Sequence, residues 1–320
     1  MTTFQFDAQP TAALFEKDGA VFALGDGAVR FEDGAFSIAH DGAILCACVH
    51  PSGEGIVTGG DDGRVIWHRK GEAGLLATAK GWIDAIDASA ESGLIAFSSG
   101  RTLSVIDARE PHFRRDFQHE RTVSGVAFEP KGRRIATSTY GGAALWFARI
   151  AEQKPTLLKW AGSHTSVAFS PDGAFIITAM QDNQLHGWRI KDQKNLRMGG
   201  YPGKVKSVSF LSKGQLMATS GAQGAVLWPF VGSNGPMGKE ATEIGYDEGS
   251  LVALVASTPT SGLLAAGLND GRVWLADPAG QGLNFLKADK GAAIVALRLS
   301  DDARRVAWAD EDGHAGVFQT

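Results

Sequence analysis

Cysteine is almost missing from this chain: Cys46 and Cys48 are the only two in 320 residues. They sit two apart in one apolar segment, poorly placed to bridge each other, so no disulfide framework is expected. Long apolar runs are missing too. The longest, such as 44–49 and 251–256, fall far short of the ~20 residues a membrane-spanning helix requires. The start, MTTFQFDAQP, has neither the basic residues nor the apolar stretch of a secretory signal, and a soluble cytoplasmic protein is expected. Also absent are a phosphate loop, a GxGxxG after a strand, HExxH, GxSxG and a CxxC pair, and with them the common nucleotide, zinc-protease, hydrolase and redox signatures. With 21 % charged residues and a net charge of −4, neither disorder nor bulk attraction to nucleic acid is implied. No stretch combines helical periodicity with caps.

Glycine, by contrast, is plentiful at 41 residues, and it punctuates a repeat. An apolar segment, a tight turn with Gly, a second apolar segment, a polar turn and a third segment often ending in an aromatic recur eight times, at intervals of roughly 40 residues. Residues 44–67, 123–146, 164–188 and 205–228 show it best. Each copy predicts three strands, and seven fourth strands fit between the copies. The eighth is predicted at residues 4–7, where an N-terminal strand would complete the last blade and cover its open edge. The expected fold is all-β: a single closed β-propeller domain over 1–320, with eight four-stranded blades or, if one degenerate copy fails to form, seven.

This pattern resembles the WD40-repeat β-propeller family over nearly the whole chain. Ser170-Pro171-Asp172-Gly173 fits the family's turn, and His50-Pro51-Ser52-Gly53 and Glu129-Pro130-Lys131-Gly132 are variants. His40 and His119 sit at the family's His; Thr58, Thr137, Thr178 and Thr219 at its hydroxyl. Asp62 and Asp182 sit at its Asp, and Trp67, Trp146, Trp188 and Trp228 at its Trp. No Trp-Asp pair survives, since His68, Phe147, Arg189 or Pro229 follows the Trp. The resemblance implies that first strands line a central channel. It also implies that the loops leading into them share one rim face with the turns before the third strands, the face on which the family docks partners. Thr178, Asp182 and Trp188 match the family spacing best and are expected to form a structural hydrogen-bonded link.

The chemistry-bearing residues mostly have structural readings. Paired carboxylates such as Asp61-Asp62 and Asp301-Asp302 suit solvated turns. Cys46, Cys48 and His50 share one strand face by period two, with His40 upstream, which is a set zinc accepts. The cysteines align with the small residues Ser166 and Ala168 of another copy and read as packing, so no metal and no cofactor is expected. His40, His119 and His164 read as turn caps within their blades.

Aromatics at loop ends are different, because packing does not demand them there and exposed aromatics favour interfaces. Charge is also segregated: net −8 over 1–100, +10 over 101–239 and −6 over 240–320. Ring closure would make the disc about half acidic and half basic, a field able to steer a partner. The expected function is a non-enzymatic scaffold, a monomer on its own, binding a protein or peptide on its rim. The expected contacts are Trp82, Arg101, His119, Arg121, Tyr140, Tyr201, Lys204 and Tyr246. No aromatic–basic motif for nucleic acid is recognisable. The alternatives are metal handling through His40, Cys46, Cys48 and His50, and a cofactor-dependent propeller enzyme.

Overall fold

Short segments rich in Val, Ile, Phe and Ala, cut by Gly-containing turns, give thirty strands and no helix among the described residues. The computed structural model describes residues 2–17, 19–280 and 282–320. The chain forms two compact units. One comprises Met1–Phe15, Asn183–Leu185 and Leu196–Thr320; the other comprises Glu16–Asp182 and His186–Asn195.

Six of the eight copies fold as a four-stranded antiparallel meander, the blade of a β-propeller. In the second copy the strands Ile44–Val49, Ile56–Gly60, Arg64–Arg69 and Glu72–Thr78 pair in chain order. Second strands are buried on both faces, as in Gly19–Leu24, Phe175–Met180 and Leu264–Leu268. This explains why those segments are nearly continuous apolar runs rather than alternating ones. The core lies between neighbouring blades. In one unit Leu94, Leu103 and Phe117 pack on Val123, Phe128 and Trp146. In the other, Leu275 packs with Ile294, Val306 and Trp308. Each such large side chain contributes about 1.5–3 kcal/mol on burial.

The N-terminal strand does complete the last blade. It spans Thr2–Gln5, slightly earlier than predicted, and pairs antiparallel with His314–Gln319 from Thr2↔Val317 to Gln5↔His314. The expected eight separate four-stranded blades are corrected and the alternative count of seven holds: the strands form seven sheets, six of four strands and one of six. The fourth and fifth copies share the six-stranded sheet because two of its strands, Arg134–Phe147 and Thr156–Phe169, run for 14 residues each. Arg134–Phe147 folds back on itself: the Ala148 N–H donates to the Arg133 carbonyl at 2.9 Å, and the Thr137 hydroxyl donates to the Ala144 carbonyl at 3.4 Å. Gly141 and Gly142, with φ of 94° and 138°, make that reversal. A Cβ on Gly142 would collide with the Leu158 carbonyl oxygen, so only glycine lets this hairpin lie against Thr156–Phe169.

Candidate partner-binding face

Within an antiparallel meander, the loop leading into the first strand and the turn between second and third strands lie at the same end. Four copies brace that end with a threonine on the second strand. Thr58, Thr137, Thr178 and Thr219 are all fully buried, and each hydroxyl meets an aromatic side chain from the preceding loop or strand.

The sixth copy shows the simplest chain of donors. The Trp228 indole N–H donates to the Tyr201 oxygen at 2.6 Å. The Tyr201 hydroxyl lies 2.7 Å from Thr219 Oγ1, and Thr219 donates to the Val226 carbonyl at 3.3 Å. In the fourth copy Trp146 donates to His119 Nε2 at 3.0 Å, and Thr137 Oγ1 lies 2.9 Å from the same nitrogen. Nε2 therefore accepts, and Nδ1 carries the proton toward the Phe117 carbonyl at 3.3 Å. Burial lowers the His119 pKa, so the ring is neutral at pH 7.

In the second copy a relay runs from Ser37 through His68, Thr58 and His40 to Asp62. Ser37 Oγ is 3.0 Å from His68 Nδ1, and His68 Nε2 is 2.9 Å from Thr58 Oγ1. Thr58 Oγ1 is 2.7 Å from His40 Nε2, and His40 Nδ1 is 3.0 Å from Asp62. Burial pushes the His68 pKa down to about 4, helped by the neighbouring His40. Burial works to raise the Asp62 carboxyl, but hydrogen bonds from the Arg64 N–H, His40 and the Asp41 N–H outweigh it and hold it below the ordinary range.

In the fifth copy His164 Nδ1 lies 2.7 Å from Thr178 Oγ1, which donates to the His186 carbonyl at 3.1 Å. The rings of His164 and His186 pack on Trp188 at 5.7 and 4.7 Å. Thr178 and Trp188 are thus joined through two histidines. Asp182 sits at an exposed turn, where its charge opposes the burial that lowers the His164 pKa.

Two positions differ from their expected roles. His68, not Trp67, occupies the place that Trp146 and Trp228 hold, since Ile56 pairs with His68 as Met217 pairs with Trp228. Trp67 points to the other face, donates to the Glu54 carbonyl at 2.8 Å and stacks on His50 at 3.9 Å. His50 is consequently buried. Tyr201 is 8 % exposed and acts as a brace. The signal for it was present: Tyr201 precedes Thr219 by the same interval that separates His40 from Thr58 and His119 from Thr137.

Of the other expected contacts, Trp82, Tyr140 and Tyr246 are 63 %, 65 % and 62 % exposed, and Arg101, Arg121 and Lys204 are exposed as well. Three are brought together. His119, Arg121 and Tyr140 line one pocket of about 760 Å³ with Trp146, Leu157, Trp160, Lys154 and Lys159. Trp82 and Arg101 lie at the same end of the neighbouring sheet, where the His119 N–H donates to the Arg101 carbonyl at 2.9 Å. In the other unit, Lys204 and Tyr246 occupy loops leading into first strands of their own sheets. Sequence reasoning missed Leu157, Lys154 and Lys159, because they lie on and beside a fourth strand, where side chains are ordinarily solvated.

His40, Cys46, Cys48 and His50 do not converge. The Cys46 thiol donates toward the Ile83 carbonyl at 3.3 Å, and burial pushes it up to about 12. Cys48 is buried, and His50 is bonded to Ser52 at 2.7 Å. No group of three or more His, Cys, Asp or Glu that could hold a metal ion occurs among the described residues.

The family model for the WD domain, G-beta repeat matches residues 35–68 and 159–189. The chain is 22 % identical to Pre-mRNA-processing factor 19 of Oryza sativa subsp. japonica over 293 residues, 86 % of this chain and 54 % of that protein. It is 31 % identical to eukaryotic translation initiation factor 3 subunit I of Pyricularia oryzae over 97 residues, 30 % of this chain and 28 % of that one. It thus spans about half or less of the length of these curated relatives. Among solved structures it shares its fold with the computationally designed Ika8 protein, with a TM-score of 0.77 at 18 % identity, covering 99 % of this chain and 98 % of that one. The chain is an all-β β-propeller that carries WD40 repeats, matched by the family model in its second and fifth copies.

Proposed function

We propose that the chain is a non-enzymatic scaffold that holds a protein or peptide partner on the pocket lined by His119, Arg121, Tyr140 and Leu157. One observation carries this reading. Tyr140 and Leu157 stand 65 % and 54 % exposed beside a concave, largely hydrocarbon floor, while His119 and Trp146 beneath them are locked to Thr137. An exposed aromatic over a rigid, preorganised pocket is the arrangement that concentrates binding energy in an interface. Trp82 and Arg101 extend the face along the neighbouring sheet. The relative that is a subunit of a translation initiation factor is by its name part of an assembly, which agrees with a scaffold role. The protein acts in the cytoplasm as a single domain over 1–320 and meets its partner as a monomer.

The test is co-purification with the tagged chain from native lysate, quantified by mass spectrometry, for the unaltered protein and Tyr140→Ala. The partner should be depleted from the variant while the melting temperature holds. Full retention of every co-purifying protein by a Tyr140→Ala, Leu157→Ala double variant would place the contact elsewhere.

A further inference from the structure

We infer that the pocket takes an acidic peptide segment with a large apolar side chain between its carboxylates, an inference that rests on the proposed docking face and specifies its partner. The pocket's cations are Arg121, Lys154 and Lys159, all exposed. None of the three makes an ion pair among the described residues. Several other basic side chains are committed to ion pairs: Arg64 is paired with Asp41, Arg134 with Glu129, Arg189 with Asp192, and Arg272 with Asp247 and Asp270. Glu120 is the pocket's one carboxylate, and the neutral His119 adds no charge. The site therefore holds an excess of uncommitted positive charge in a segment whose net charge is +10 over 101–239.

The shape of the pocket selects a peptide. Leu157 and Lys159 are two apart on one strand and project from the same face, paired opposite Ala144 and Gly142. An apolar side chain entering between Tyr140 and Leu157 would thus lie next to the Lys159 ammonium, with Arg121 and Lys154 available to flanking carboxylates. The lining combines aliphatic Ala143, Ala144, Pro155 and Leu157 with the buried or half-buried rings of His119, Trp146 and Trp160, and Tyr140 is the pocket's one exposed aromatic. A single-stranded nucleic acid would instead use successive aromatic platforms along a basic groove.

The experiment is fluorescence anisotropy with a labelled Glu-Asp-Leu-Phe-Glu-Asp peptide, its Gln-Asn-Leu-Phe-Gln-Asn counterpart and a labelled oligouridylate. The acidic peptide should bind about tenfold or more tightly than its neutral counterpart, and more weakly as salt rises. The Arg121→Glu, Lys159→Glu variant should lose the acidic peptide and gain a Lys-Arg-Leu-Phe-Lys-Arg peptide, with an unchanged melting temperature showing that it folds. Equal binding of acidic and neutral peptides, indifference to the charge reversal, or tighter binding of the oligouridylate would each overturn the inference. The docking face itself is judged separately: if Tyr140→Ala still depletes the lysate partner while the acidic peptide fails to bind, the partner's chemistry is wrong and the face stands.

Discussion

Residues 118–161 and residues 201–228 are built on the same threonine–tryptophan pair, and they differ in what stands in front of it. In the second region Tyr201 fills the brace, its oxygen held between Trp228 and Thr219. In the first, His119 fills the brace, and the region's tyrosine, Tyr140, projects from a glycine hairpin into solvent. Two tyrosines at the same end of their blades thus have opposite work. One is consumed by the fold, and the other is free to meet a partner. What separates them is not residue type but place relative to the threonine: Tyr201 precedes Thr219 by 18 residues, at the brace position, whereas Tyr140 follows Thr137 by three, in the hairpin turn.

The contrast widens in the copies that lack the threonine. Fourteen residues after a buried residue at the entry to the first strand (Ile44, Val123, His164, Val205) stands Thr58, Thr137, Thr178 or Thr219. The same interval after Ile83 and Ile294 reaches Phe97 and Trp308. There an aromatic plug replaces the polar brace. Trp308 lies across Gly316, where a Cβ would come within 2.8 Å of its indole nitrogen. That nitrogen has no hydrogen-bond partner among the described residues, and the position of His or Tyr in the braced copies is Lys290 here, which cannot accept a hydrogen bond.

The largest expected effect comes from emptying such a plug. Trp308→Ala should cost about 3–5 kcal/mol, read as a fall in the denaturant midpoint, because it removes a buried indole packed with Leu275, Ile294 and Val306. A change under about 1 kcal/mol would mean the plug is not part of the core.

Next comes pH. His68 is fully buried with its pKa lowered to about 4 by burial and by His40, from 6.5. Because folding lowers this base's pKa, its contribution is fully present above pH 6.5, erodes as pH falls from 6.5 toward 4, and is absent below. His50, lowered to about 4 by burial and by Arg69, acts in the same direction. Together with linkage this predicts a loss of the order of 3 kcal/mol across that window for His68 alone. His68→Asn should flatten the slope, and an unchanged slope would remove His68 from the account.

A smaller effect is expected from Tyr201→Phe. Removing one oxygen leaves the Trp228 N–H and the Thr219 hydroxyl each short of a partner in a dry site, at about 1–3 kcal/mol. Tyr140→Ala should be smallest for stability, within about 0.5 kcal/mol, because the side chain is mostly in water.

The strands were legible because their apolar, turn-bounded pattern is dictated by burial on both faces, as in Phe175–Met180. The last blade's N-terminal strand was legible from strand counting alone. The sheet shared by the fourth and fifth copies was not, since it depends on how tightly the Gly141-Gly142 hairpin returns and on where strand pairing continues past residue 160. Site residues were half legible. Tyr140 and Trp82 could be read from loop position, whereas Tyr201 looked the same until its spacing to Thr219 was matched with that of His40 and His119. Lys154, Leu157 and Lys159 gave no signal, because three solvated residues around a fourth strand become a site only when a folded hairpin sets Tyr140 beside them.

The most direct test pairs Tyr201→Phe with Tyr140→Ala, measuring for each both the denaturant midpoint and the anisotropy-derived affinity for the acidic peptide. The expected result is a crossing pattern: Tyr201→Phe lowers the midpoint and leaves affinity unchanged, while Tyr140→Ala leaves the midpoint and weakens binding by about 2 kcal/mol. If both variants shift the same quantity, or if Tyr201→Phe weakens binding while the midpoint holds, the division between brace and contact surface is wrong.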